Sequence, residues 1–171
     1  FGFNAGSALE ANGLAVHAFL TTNTSAAVAL LSWMLVEKVV HGKPTVMGAA
    51  TGAVLGLVAI TPGAGFVPIW ASFIIGAVVS PLCFLFITKV KSKFGYDDAL
   101  DAFGCHGIGG IWGGIATGLF TDKSINSFAK WNGLVFGETK LFLAQLEGMV
   151  ITIVLSGVVT LVVMLILKKL G

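Results

Sequence analysis

His106 lies five residues into an uncharged run of twenty, between Asp101 and Asp122, in which seven positions are glycine. In a helix, positions i, i+3, i+4, i+7 and i+8 share a face. That face carries Gly109, Gly110, Gly113 and Gly114 beside the imidazole, then Thr117 and Gly118 a turn later. Glycine weakens a helix, so this many require a reason. One reason is close approach of a second helix through the small-xxx-small pairs Gly109/Gly113, Gly110/Gly114 and Gly114/Gly118. The other is a narrow empty lane beside the ring. A neutral imidazole offers one donor and one acceptor nitrogen. In a dry slot it suits a small polar neutral solute better than a hydrated cation. His106 could instead bond across tightly packed helices, but ionisable groups inside membrane spans mark pathways.

The elements that must position this ring are membrane helices. The chain is 56% hydrophobic and 11% charged, too little polar surface to wrap an α core of this size in water. No charged residue occurs between Lys43 and Lys89, or between Glu147 and Lys168. The apolar runs are continuous rather than alternating, which predicts helices and not a barrel. The expected class is an all-α, multi-pass helical bundle, with spans at about 14–36, 45–66, 68–88, 98–120 and 142–167. Pro62 and Pro81 lie in or at the edge of spans, where neighbouring helices can satisfy the carbonyls they free.

All ten cations are lysine. Lys38, Lys43, Lys89, Lys91, Lys93, Lys168 and Lys169 fall on one side of that topology. Lys123, Lys130 and Lys140 fall on the other, offset by Asp122 and Glu138. The positive-inside rule then makes the C-terminus cytoplasmic. Residues 1–9 read as a stub helix near the outer face. A free amino terminus at that depth would be a costly buried charge, so the chain reads as the back part of a longer protein.

The remaining polar and reactive residues have modest expected roles. Cys83 and Cys105 sit in apolar runs and read as small hydrophobes, not a disulfide or metal pair. Asp97, Asp98 and Asp101 open the histidine-bearing span, where carboxylates accept backbone N–H groups and complement the helix dipole. Asp98 is about 12 Å along the axis from His106, beyond direct contact. His17 is expected to pack or lie at the surface, and His41 to be solvated. "TTNTS" at 21–25 suits contacts between helices. Trp33, Trp70 and Trp131 fall near span ends and suit an interfacial aromatic belt. There is no metal-spaced cluster, phosphate loop, nucleophile elbow or basic nucleic-acid stripe, hence no cofactor and no nucleic-acid partner. An enzyme using His106 as a general base would lack a second catalytic group in reach.

"FGFNAGSA" at 1–8, "GKPTVMGAATGAVLGLVAITPGAGFV" at 42–67, "DDALDAFGCHGIGGIWGGIATGLF" at 97–120 and "QLEGMVITIVLSGVV" at 145–159 resemble the ammonium transporter family of Amt, Mep and Rh proteins. The resemblance covers nearly the whole chain in family order and leans toward the bacterial Amt branch. It implies the second half of an eleven-helix inverted-repeat transporter, from the outer part of the sixth helix through the eleventh. It further implies a homotrimer in the inner membrane, with ammonium recruited outside and ammonia passing an apolar pore lined by paired histidines. His106 matches the histidine of the tenth helix, and its partner is not in this sequence. Ser7 matches a recruitment-site serine, and Phe3 a phenylalanine that closes the pore entrance. Asp98 and Asp101 match carboxylates taken as scaffolding of the pore helix, together with Gly109, Gly110, Gly113 and Gly114. The family also implies a PII-type regulator contacting a cytoplasmic tail, of which only two residues follow Lys169 here. The alternative is an ammonium sensor on the same fold, signalling through a fused or partner domain.

Overall fold

The computed structural model describes residues 1–170, and no strand occurs among them. Helix α1 (Gly2–Gly6) is tied to the next by Asn4, whose amide donates to Thr22 Oγ1 at 3.0 Å. Helix α2 (Gly13–His41) begins where Asn12 Oδ1 accepts the Ala15 N–H, and stops at Gly42, which turns left-handed at φ +81°. It outlasts its apolar run because Glu37 is buried. The Glu37 carboxylate accepts the Thr45 N–H at 2.7 Å and the Thr45 hydroxyl at 3.1 Å. Thr45 in turn caps α3 (Val46–Ile60) by accepting the Gly48 N–H.

Helix α4 (Ile69–Leu85) passes through a π-helical turn, Phe86–Val90, into the short α5 (Lys91–Phe94). A second π-helical turn, Phe103–Gly107, leads into α6 (Ile108–Phe120). A single 3-10 turn, Leu134–Phe136, interrupts the loop before α7 (Lys140–Leu170). Gly13–His41, Ile69–Phe94 and Lys140–Leu170 are each long and apolar enough to cross a membrane. At about 1.5 Å per residue they exceed the roughly 30 Å of hydrocarbon.

The core is the α2–α3–α4 triplet, and backbone contact holds it together. A Cβ at Gly56 of α3 or at Gly76 of α4 would come within 2.4 Å of the same atom, the Ser25 carbonyl oxygen of α2. Ser25 also donates its hydroxyl to the Gly56 carbonyl at 2.9 Å, and Ser80 donates to Ala29 O at 2.7 Å. The predicted contacts from "TTNTS" are therefore present. Pro81 leaves the Ala77 carbonyl without its helical partner, and the Ser32 hydroxyl of α2 takes that place at 2.8 Å. Past Ile60 the chain turns through 61–67, where α2 serves two of the carbonyls. Thr21 Oγ1 donates to Ala64 O, and His17 Nε2 bonds Val67 O at 2.8 Å. His17 is thus a packing residue, tied to Val67 O and partly buried.

Trp33 departs from its expected interfacial place. It is buried, 6% exposed, edge-on to Phe84 with ring centroids 5.2 Å apart. Gly52 on α3 lets α2 come close at this level: an added Cβ would lie 2.6 Å from the Trp33 Cβ and 2.8 Å from Ala29 O, so Trp33 sits on the face turned to α3. Trp70 and Trp131 remain substantially exposed, as does His41. Both cysteines are buried and free.

Apart from that 3-10 turn, residues 121–139 connect α6 to α7 through polar ties. Asp122 N donates to Phe66 O, Lys123 N to Asn132 Oδ1, and Asn132 Nδ2 to Glu138 Oε1. Lys123 pairs with Glu138 at 3.3 Å. The Ser124 hydroxyl and N–H, both donating to Asp122, hold its carboxyl below the usual aspartate value. Burial raises Glu138, but donors from Asn132 and Lys123 outweigh it and the net direction is down. A carboxyl depressed in the folded state contributes stability above its unfolded pKa and loses it as pH falls through the folded one. The loop should therefore loosen below the ordinary carboxylate range of about 4. Amide exchange of Ser124, corrected for intrinsic rate, should show protection at neutral pH that disappears on acidification. Equal protection at both pH values would contradict these assignments.

Candidate functional site

His106 belongs to the π-helical turn Phe103–Gly107, whose start is held from outside the helix. Asp98 Oδ2 accepts the N–H groups of Phe103 at 3.0 Å and Gly104 at 3.3 Å, donors that a helix start leaves unpaired. Asp101 adopts φ +54°, a left-handed conformation rare for a non-glycine residue. Its side chain accepts from Lys91 Nζ at 2.7 Å, while its carbonyl accepts the Cys105 N–H at 2.8 Å. Neither carboxylate bonds the imidazole; both act on the backbone that carries it.

The imidazole is exposed and makes no hydrogen bond among the described residues. It faces two hollows. One, of about 1120 Å³, opens between His106, Gly110 and the α7 residues Gln145, Met149 and Thr152. The other, of about 400 Å³, lies between His106 and Cys105 on one side and Thr51 and Val54 of α3 on the other. The larger hollow is chiefly apolar, with Thr152, Ser156 and Thr160 along α7 as its hydroxyl groups.

The glycine face divides among three surroundings. A Cβ on Gly113 would lie 2.5 Å from the Ala59 carbonyl oxygen, so this residue admits α3. At Gly114 it would lie 2.9 Å from Met149 Sδ, and at Gly118 3.0 Å from Phe142 Cα, so these admit α7. Gly109 has side-chain neighbours from 3.3 Å, led by Val58. Gly110 alone of the five meets nothing within 4 Å, and it lines the larger hollow beside the ring. Trp112 ties α6 to α4 by donating Nε1–H to Ile75 O at 3.0 Å.

Phe3 and Ser7 are together in a different hollow of about 440 Å³, with Asn4, Leu14, Thr61 and Asn126, and His106 does not line it. The Ser7 hydroxyl donates to the Phe3 carbonyl, and the Phe3 ring is 77% exposed. No group of three or more metal-ligating side chains occurs among the described residues. By sequence Lys91 reads only as a topological charge. The signal for its role was the ten-residue interval to Asp101, across a glycine turn at Gly95 (φ +62°) that folds the chain back.

The Ammonium Transporter Family model matches residues 1–171. The chain belongs to the ammonium transporter family. It is similar to the ammonium transporter of Bacillus subtilis, at 53% identity over 163 residues, which are 95% of this chain and 40% of that protein. The crystal structure of Candida albicans Mep2 superposes with a TM-score of 0.87 at 33% identity, over 95% of this chain and 36% of that one. A solved protein described as a sensor Amt protein is 26% identical with a TM-score of 0.75, over 88% of this chain and 36% of that one. The chain thus spans about 40% of the length of the curated relatives it matches. As an ammonium transporter family member, with helices long and apolar enough to span a bilayer, it is an all-α multi-pass membrane protein. The family is one of transporters and not of enzymes.

Proposed function

We propose that this chain forms part of a transporter that moves ammonium or ammonia across a membrane, with His106 touching the permeant in a narrow apolar pore. The observation that carries the reading is the free imidazole beside Gly110, turned toward a largely apolar hollow. In the complete protein that hollow is enclosed as a pore, where an unpaired polar ring needs a partner and a small hydrogen-bonding solute fits one. In the complete protein a second histidine, from a preceding half, faces it across the pore. Phe3 closes the outer entrance, and the Ser7 hydroxyl accepts from ammonium in the recruitment site. Asp98, Asp101 and the glycines Gly109, Gly110, Gly113 and Gly114 support the pore helix. The membrane segments lie at about 14–36, 45–66, 68–88, 98–120 and 142–167, in the inner membrane with the C-terminus cytoplasmic. The assembly is a homotrimer open to a PII-type regulator.

The test is flux. Vesicles reconstituted with the complete transporter should relax an imposed ammonium gradient faster than protein-free vesicles, and equal rates would end the transport reading. A sensor is the second reading, favoured by the likeness to the sensor Amt protein. Ammonium binding without flux would support it.

A further inference from the structure

Among the described residues, Lys91 is the one side chain that grips both supports of the histidine turn. Its Nζ donates to the Asp98 carbonyl at 2.6 Å and to Asp101 Oδ1 at 2.7 Å. Asp98 then caps Phe103 and Gly104, and Asp101 receives the Cys105 N–H. A second contact lies one turn back on the same segment. A Cβ on Gly104 would come within 2.5 Å of Ile87 Cγ1, so Ile87 rests directly on the turn. Ile87 belongs to the first π-helical turn and Gly104 to the second, so the two irregular turns dock against each other. A π turn inserts one extra residue, about 100° of helix rotation, into whatever follows. Whether this turn forms therefore decides which way His106 points relative to α6.

We propose that Lys91 is a positioning residue for His106, clamping the Asp98–Asp101 segment so that the π-helical turn aims the imidazole into the hollow beside Gly110. As an isolated pair Lys91–Asp101, 28% and 36% exposed, would contribute little to stability. Its effect is geometric. It holds Asp101, a non-glycine residue, at φ +54°, a conformation that persists only where surroundings enforce it. The inference rests on the transport reading for its consequence, but not for its geometry.

The experiment uses the complete transporter in bilayers, with nitrogen-15 side-chain spectra of its histidines and the ratio of ammonium to methylammonium flux. Lys91→Met should shift the His106 ring resonances, leave His17 and His41 in place, and move the flux ratio by up to about a hundredfold, the scale of a 1 Å misplacement. Lys91→Arg keeps the charge and should restore both. Gly104→Ala, which pushes on Ile87, should produce the same shift, and Gly104→Ala with Ile87→Ala should reverse it. Wild-type His106 resonances in Lys91→Met overturn the proposal. So do wild-type resonances in Gly104→Ala, should Lys91→Met fail to assemble. Absence of ammonium flux in the parent protein would remove the transport reading alone, because the spectra still report on the clamp.

Discussion

Gly113→Val should abolish assembly of the complete transporter, while Gly110→Ala leaves it near the parental level. The two glycines are three residues apart on one helix, yet their surroundings are opposite. At Gly113 an added Cβ would lie 2.5 Å from a backbone oxygen, Ala59 O, and 3.1 Å from Pro62 Cγ. Backbone cannot rotate aside as a side chain can, so α3 and α6 must separate. Overpacking a well-filled interior costs about 1–3 kcal/mol, and forcing two helices apart belongs at or beyond the top of that range. Since about 1.4 kcal/mol is a factor of ten, folded yield should fall more than tenfold. At Gly110 nothing lies within 4 Å. Size-exclusion profiles and thermal stability of the two variants in detergent would check the pair. A stable Gly113→Val would contradict the helix contact. A collapsed Gly110→Ala would mean that a helix from the rest of the protein covers this position.

His106→Ala should leave assembly intact and alter transport. The ring makes no hydrogen bond among the described residues and contributes nothing to the buried core, so its removal strands no partner among them. What it removes is one donor and one acceptor offered to the permeant. A hydrogen bond is worth about 0.5–1.5 kcal/mol net, so flux or the preference for ammonium over methylammonium should change about tenfold. Stopped-flow measurements on reconstituted vesicles would register either change. Parental flux and parental selectivity would take the histidine out of the mechanism.

The helical class and the polar stitching of α2 were legible because each follows from one local rule. A proline inside a span frees a carbonyl for a neighbouring helix to serve, and Ser32 of α2 serves Ala77 O. A threonine and serine run in an apolar helix needs acceptors on its neighbours, and Thr21 and Ser25 find Ala64 and Gly56. Trp33 was misread because position along a span says nothing of which face it occupies. The close approach of α2 to α3 at Gly52, nineteen residues away in sequence, puts that position on an inward face. The glycine face of α6 was legible as a face but not as three environments, since sequence gives the bare positions and not the helices that meet them. The π-helical turns escaped altogether. Their cause is tertiary: Ile87 against Gly104, and Lys91 reaching back to Asp98 and Asp101. Phe3 and Ser7 share a hollow that His106 does not enter, an arrangement no spacing could have revealed across about a hundred intervening residues.

The most direct measurement is an experimental structure of the complete transporter at a resolution that fixes side-chain rotamers. The account predicts an unbroken narrow void running beside Gly110, with the ring nitrogens of His106 exposed to it and a second imidazole opposite. Solid protein in that space, with the His106 ring sealed against a neighbouring helix, would contradict it.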